Sequence, residues 1–267
     1  MTMLQIHALH QLFYPGEINE IHALRGIDLT IPEGQFVTLI GSNGAGKSTL
    51  FNVTAGVFQP TRGSIRIDGE DVTRWPEHKR AADIGRVFQN PLMGTAASMT
   101  IAENLALAIL RGKRHRLTLG VTPHRQEHFR DLLAPLGLGL EKRLDTKVAL
   151  LSGGQRQALT LLMATLTRPK LLLLDEHTAA LDPATADKIL MITRQIVDEQ
   201  KLTTLMITHN MHQALSIGDR TLMMDGGQIV LDLGPEERRS ITVQDLIDKF
   251  TQVRQVALSD DKLLLTI

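Results

Sequence analysis

Short strands joined by turns dominate the first third of the chain. Leu4–His10 is apolar at alternate positions, Ala23–Ile31 is a second such run, and Gln35–Ile40 is a β-branched strand of the fully buried type. Pro32-Glu33-Gly34 separates the last two as a turn. Ser64–Asp68 and Ile84–Phe88 alternate again. The period then changes. In Thr100–Arg111 the apolar positions Ile101, Leu105, Ala108 and Ile109 fall at helical spacing. Arg125–Leu136, closed by Gly137 and Gly139, reads as a second helix and Ser152–Thr167 as a third, so 91–168 is expected to be a helical insertion. Afterwards strands and helices alternate: Lys170–Asp175, Ala184–Gln200, Thr203–Thr208, Met211–Ile217 and Thr221–Met224. That rhythm predicts an α/β fold with a parallel sheet and crossover helices. Gly226-Gly227 reads as a hairpin turn before Gln228–Leu231, and Thr242–Phe250 as a short final helix.

Composition narrows the class. With 267 residues the chain makes one large domain, or one domain carrying a smaller subdomain. Lysine plus arginine equals aspartate plus glutamate at 29 each, so no long-range field draws it to nucleic acid or an anionic membrane. The chain has 0 cysteines, which excludes disulfides, thiolate metal sites and cysteine nucleophiles. Apolar stretches such as Ala106–Leu110 and Leu171–Leu174 are far too short to span a bilayer, and Met1–His7 lacks a signal peptide's basic flank. A soluble cytoplasmic protein is expected, one that reaches a membrane only by docking on something else.

Gly41-Ser42-Asn43-Gly44-Ala45-Gly46-Lys47-Ser48, with Thr49 following, fits G-x-x-x-x-G-K-[ST]. It lies between a buried strand and an apolar stretch, Leu50–Ala55, that can continue as helix. Glycines there let the backbone curl so that N–H groups point at phosphate oxygens, at the positive end of a helix dipole. Lys47 is expected to span the β- and γ-phosphates of ATP, and the Ser48 hydroxyl to ligate Mg²⁺.

Leu171–Leu174 ends in Asp175 and Glu176. Strand carboxyl ends gather at one edge of a parallel sheet, where ligands sit. Asp175 is therefore expected to face the Mg²⁺, and Glu176 to polarise a water for in-line attack on the γ-phosphate. His209 ends a later strand and reaches the same edge by the same logic. Leu151-Ser152-Gly153-Gly154-Gln155 opens the third helix: Ser152 suits an N-cap, and the glycines leave backbone N–H groups unobstructed. This is a second anion cradle, which implies two ligands or one ligand shared between two chains.

Taken together, these motifs resemble the nucleotide-binding subunit of ABC transporters over about Leu4 to Leu231. GSNGAGKST at 41–49 is similar to its Walker A loop, LSGGQ at 151–155 to its signature motif, and LLLLDE at 171–176 to Walker B with the catalytic glutamate. Gln89 resembles the Q-loop glutamine, Ala180-Leu181-Asp182 the D-loop, His209 the switch histidine, and Tyr14 the aromatic that stacks on adenine. The resemblance implies a P-loop core with an N-terminal antiparallel β subdomain and an inserted α-helical subdomain within 1–250, followed by a tail at 251–267. It implies a head-to-tail dimer with two ATPs sandwiched between Walker A of one copy and LSGGQ of the other, Asp182 contributing at the same interface. Gln89 would join Ser48 and Asp175 near Mg²⁺ and link the γ-phosphate to the helical subdomain, which receives integral membrane permease subunits. Import is the favoured direction, with a separate substrate-binding protein and amino acids among the substrates. The subunit would sit peripherally on the cytoplasmic side of the membrane. A soluble, non-transport ATPase acting on a scaffold is the rival reading.

Two positions depart from the family. Pro usually follows the catalytic glutamate and Ser heads the D-loop; here they are His177 and Ala179. Both read as tolerated variants. The basic run Arg111-Gly112-Lys113-Arg114-His115-Arg116 reads as a solvated loop, with contact to lipid headgroups or the membrane partner as the alternative, the methionines Met206, Met211, Met223 and Met224 as core, and Asp225-Gly226-Gly227 as a turn only.

Overall fold

The computed structural model describes residues 1–113 and 119–251. Two sheets share the chain. Strands β1 (Thr2–Phe13), β2 (Ile21–Pro32), β4 (Arg62–Ile67) and β5 (Glu70–Asp71) form an antiparallel sheet in the order β2-β1-β4-β5. β3 (Phe36–Gly41), β6 (Ile84–Val87), β7 (Leu171–Asp175), β8 (Thr203–Ile207), β9 (Arg220–Asp225) and β10 (Gln228–Leu233) form the second, in the order β10-β9-β3-β8-β7-β6. All neighbours in it are parallel except β10, which returns antiparallel beside β9.

β1 extends past the expected His10. Leu4, Ile6, Leu9 and Gln11 are its buried residues, so the alternation skips a step at Ala8. Ala8 has φ +43°, and the ladder to β2 shifts register between Ile6 and Leu9: a β-bulge breaks the period by which the strand was read.

The parallel strands are buried on both faces, which is why they read as unbroken apolar runs. Successive side chains still alternate. Leu172 and Leu174 of β7 pack with Val87, Met206 and the helices of the insertion, while Leu171 and Leu173 pack with Leu39, Leu205 and the antiparallel sheet. Met206, Met223 and Met224 are buried and Met211 packs against the core.

Helix α1 (Lys47–Ala55) follows β3, and a single turn, α2 (Glu77–Arg80), precedes β6. Between β6 and β7 lie α3 (Ile101–Ile109), α4 (Pro123–Leu133) and α5 (Gly153–Thr165). Thr100 and Glu103 close a capping box at the start of α3, as Ser152 and Gln155 do for α5. α4 stops before the expected Leu136 because Pro135 cannot donate to the helix ladder, and the chain leaves in a 3₁₀ turn capped by Gly137 at φ +63°. Helices α6 (Pro183–Gln200) and α7 (Met211–Ile217) alternate with β8, and α8 (Pro235–Ser240) follows β10. Residues 243–251 are helical, and the expected tail lies outside the described residues apart from Thr251. Among the described residues no helix is long and apolar enough to cross a membrane.

Arg111 corrects the reading of the basic run as a solvated loop. Its guanidinium is tied to the Thr167 hydroxyl and the Ala164 carbonyl beside α5, so it is a structural clasp. Lys113 is exposed, and Arg114 to Arg116 lie outside the described residues.

Arg80 is 1 % exposed and joins the two layers. It donates to the carbonyls of Val53 and Thr54 at 2.8 Å each, in the last turn of α1, and to those of Thr73 and Trp75 at 3.0 Å. Replacing it by Met would leave the Thr54 and Thr73 carbonyls without this donor and weaken the bonding of Val53 and Trp75, which keep the Gly56 amide and the Gln59 carboxamide. Arg80→Met is expected to lower unfolding free energy by about 3 kcal/mol in urea titration; an unchanged midpoint would show these contacts to be dispensable.

Candidate functional site

The carboxyl ends of β3, β6, β7, β8 and β9 converge, and on that edge the chain builds a cleft of about 650 Å³. Asn43, Gly44, Ala45, Gly46, Lys47, Ser48 and Thr49 form its floor, with Glu176 at one side. Gly41, at φ +152°, and Gly46, at φ +97°, are fixed by space as well as conformation. A Cβ on Gly41 would lie 2.2 Å from the Met224 carbonyl oxygen, and one on Gly46 2.6 Å from that of Ala23. The loop thus presses on β9 and β2 from below and leaves its upper side to a ligand. At the start of α1 the N–H groups of Lys47, Ser48 and Thr49 have no helical acceptor, a positive helix end aimed at the cleft.

Lys47 is 7 % exposed, and its ammonium donates to the carbonyls of Gly41 at 2.8 Å and Ser42 at 2.9 Å. Burial lowers its pKa, opposed by the nearby Glu176 and Asp175 carboxylates. Asp175 has the converse problem: burial raises its pKa, and Arg86, at 3.9 Å, offsets only part of that. Arg86 itself is shared with the Asn52 side chain at 2.7 Å. A desolvated carboxylate at the strand edge that also carries Glu176, with the Ser48 hydroxyl in the cleft and the Gln89 carboxamide on Glu176, offers hard oxygen donors of the kind a divalent cation such as Mg²⁺ takes.

One oxygen of Glu176 receives two groups. Gln89 Nε2 donates to Oε2 at 3.2 Å, and His209 Nδ1 approaches the same atom at 3.4 Å. Since the Gln89 amide nitrogen faces Glu176, its carbonyl oxygen remains the acceptor available to a metal. Glu176 also lines a second, polar cavity of about 220 Å³ with Thr178, Thr208, His209, Asn210 and Gln213, and so stands between the two spaces.

Ser152, Gly153, Gly154 and Gln155 contribute nothing to the lining of the phosphate cleft. Ser152 caps α5 by accepting from the Gln155 amide at 3.2 Å. The Gln155 side chain is engaged within its own chain, accepting from the Ser152 amide and donating to the Leu138 carbonyl, so the open N–H groups there are those of the glycines. Gly154 has a packing reason too: a Cβ would meet Thr185 Cγ2 at 2.4 Å. Asp182 caps α6 through the Thr185 amide at 3.1 Å, and Ala179 and Ala180 are exposed beside it.

Three features escaped the sequence reading. Tyr14 is 59 % exposed at φ +54° and does not line the cleft; Phe13 does, edge-on to Phe58 with centroids 5.4 Å apart. The two aromatics are adjacent, and the bulged register of β1 decides which faces inward. Asp225-Gly226-Gly227 is more than a turn. Asp225 accepts from the Ser42 hydroxyl at 2.9 Å, the Gly227 amide donates to the Ala45 carbonyl at 3.2 Å, and both glycines line the cleft. Arg86 and Asn52 brace Asp175 from positions no motif marks.

This arrangement defines a P-loop nucleotide hydrolase. Residues 24–179 match the model of the ABC transporter family, and the chain belongs to that family as an ABC ATPase. It is 46 % identical over 250 residues to the tyrosine transport ATP-binding protein of Clostridioides difficile (strain R20291), covering 93 % of this chain and 98 % of that protein. It is 38 % identical over 232 residues to a methionine import ATP-binding protein of Vibrio cholerae, covering 85 % of this chain but 64 % of that longer protein. Among solved structures, a dimeric ATP-binding cassette in a post-hydrolysis state with ADP and Pi superposes with a TM-score of 0.75 at 27 % identity, covering 87 % of this chain and 99 % of that one. A cassette of an ABC transporter complex from Clostridium perfringens does so with 0.75 at 26 %, covering 100 % and 99 %.

His177, beside Glu176, is 3 % exposed, and burial pushes its pKa down to about 4 from 6.5. The folded chain keeps the ring neutral where an unfolded one would protonate it, so this contribution is complete above pH 6.5 and drains away as pH falls toward 4. Between pH 7.5 and pH 5 the wild type should lose about 2 kcal/mol more stability than His177→Gln in paired urea titrations. Equal losses would place the ring in contact with water.

Proposed function

We propose that this chain is the ATP-hydrolysing subunit of an importer for an amino acid or a related small solute. It would work as a head-to-tail pair of copies beneath integral membrane permease subunits, which hold it at the cytoplasmic face and receive substrate from a separate binding protein. The single observation that carries the hydrolytic reading is the Glu176 carboxylate, placed at the rim of the phosphate cleft with Gln89 and His209 on one oxygen. The substrate class rests on the likeness, across nearly the full length of both chains, to a protein named for tyrosine transport. That likeness also favours transport over the scaffold-bound rival.

The chemistry follows from the residues. The phosphates of ATP lie on the N–H groups of 44–49 and displace carbonyls as partners of the Lys47 ammonium, which then spans the β- and γ-phosphates. Ser48, Asp175 and the Gln89 carbonyl would hold Mg²⁺, which supplies positive charge against the triphosphate. Glu176 accepts a proton from a water as its oxygen bonds to the γ-phosphorus and the bond to the leaving ADP oxygen breaks. Gln89 and His209 fix the orientation of the carboxylate. Phe13 offers a face to adenine at the far end of the cleft.

A groove of about 440 Å³ between the Gln89 segment and the helical insertion, lined by Met93, Leu107, Ala108 and Met163, suits a helical segment of the permease. Met93 and Leu107 are 69 % and 53 % exposed there, and Arg86 of the Asp175 brace lines the same groove. A partner seated in it lies one residue pair away from the metal site.

Glu176→Gln is expected to bind ATP with wild-type affinity and to lose turnover by about 100-fold or more. Steady-state phosphate release, read beside nucleotide binding, measures both. Wild-type turnover in this variant would remove Glu176 from the chemistry.

A further inference from the structure

Glu176 occupies an uncommon backbone conformation. Its φ of +43° lies in the left-handed region, where a side chain crowds its own carbonyl. Such a residue persists only where its surroundings hold it. Two backbone bonds do part of this: the Glu176 amide donates to the Ile207 carbonyl at 3.1 Å, and the Glu176 carbonyl accepts from the Ala179 amide at 3.0 Å. They close a tight turn against β8 but leave its inner side, residue 177, to side-chain contacts.

His177 fills that side, buried beneath the turn, and its Nε2 lies 3.1 Å from the Thr193 hydroxyl oxygen on α6. The direction of this bond is fixed by chemistry. The Thr193 hydroxyl gives its single proton to the Ile189 carbonyl one helical turn back, at 2.8 Å. Its oxygen can therefore only accept, and the ring nitrogen donates. We propose that His177 is a positioning residue for hydrolysis, a hydrogen-bonded strut from α6 that holds Glu176 in its left-handed conformation and its carboxylate against Gln89 and His209.

The strut explains what a proline at this place would not do. A residue before proline is driven toward extended backbone, away from the conformation seen at Glu176. Here the rigidity comes from a donor–acceptor chain, His177 to Thr193 to Ile189, that ends in the body of a helix. Asp182 caps that same helix, so the strut also couples the carboxylate to the 179–182 segment between them. A small rotation of the turn would move the carboxylate off both partners while leaving the floor of the cleft, which α1 and β3 build, in place.

This inference rests on Glu176 being the general base, and the test separates the two. In the purified full-length chain, Thr193→Val removes the acceptor at nearly constant volume, and Thr193→Ser restores it. His177→Gln offers an amide donor if the histidine site tolerates no smaller change. The inference expects Thr193→Val to lower kcat on the order of 10-fold, as for a base held slightly out of place, with ATP affinity within a factor of about two in a fluorescent-nucleotide titration. Thr193→Ser should recover wild-type kcat. If Thr193→Val misfolds, His177→Gln carries the comparison, with kcat expected nearer wild type than in His177→Ala at equal ATP affinity. Wild-type kcat in Thr193→Val overturns the inference, as does failure of Thr193→Ser to rescue, or a loss matched by loss of ATP binding. With Glu176→Gln assayed alongside, retained turnover in that variant would instead overturn the assignment of the base itself.

Discussion

A lysine ammonium taken almost wholly out of water is the constraint around which this site is organised. Lys47 can stay charged in its place only if oxygens surround it, and the chain supplies two loop carbonyls and, further off, the carboxylates that end β7. Each is positioned by something larger. The carbonyls belong to a loop that only glycine can thread between β9 and β2, and the carboxylates sit where a parallel strand delivers them. Triphosphate is the ligand that satisfies this charge better than the loop does, because it brings negative oxygens to a cation and to helix amides already oriented for them.

The opposite charge in the same site has less support. Asp175 is desolvated, and the Arg86 guanidinium beside it is divided between it and Asn52. A buried cation and a buried carboxylate thus act on each other across the loop, with Arg86 the further positive group beside Asp175. Because Arg86 also lines the groove of the helical insertion, the charge balance at Asp175 and the groove proposed for a permease segment share a residue.

Much of this was legible in the linear chain, for definite reasons. The β7 run of four leucines declares a strand buried on both faces, and its two terminal acids then have only one edge to occupy. Glycines spaced before Lys47 declare the loop, because at Gly41 and Gly46 no other residue tolerates the carbonyls packed against it. What stayed hidden depends on register or on partners distant in sequence. Register shifts along β1, at Ala8 and again between Gln11 and Leu12, precede Phe13, which lines the cleft where Tyr14 does not. Asp225 serves the loop only because β9 lies beside β3, a pairing that no local pattern encodes. Arg80 and Arg111 look like surface charge until the carbonyls they cap are brought to them. The His177 strut is of the same kind, a contact from strand end to mid-helix.

One chain supplies only half of the enclosure. The phosphate cleft is open above the loop, and the second cradle lies elsewhere on the same molecule, with Ser152 and Gly153 exposed and Gly154 packed behind them. The account therefore requires that one copy's cradle close another copy's cleft around ATP. A chain without cysteines allows a direct measurement of this. One preparation would carry Asn43→Cys and a second Ser152→Cys, both at exposed positions, and the two would be mixed under mild oxidation. The account predicts a covalent heterodimer that forms with a non-hydrolysable ATP analogue and Mg²⁺, and not without nucleotide. Cross-linking that ignores nucleotide, or that joins like with like as readily, would contradict it.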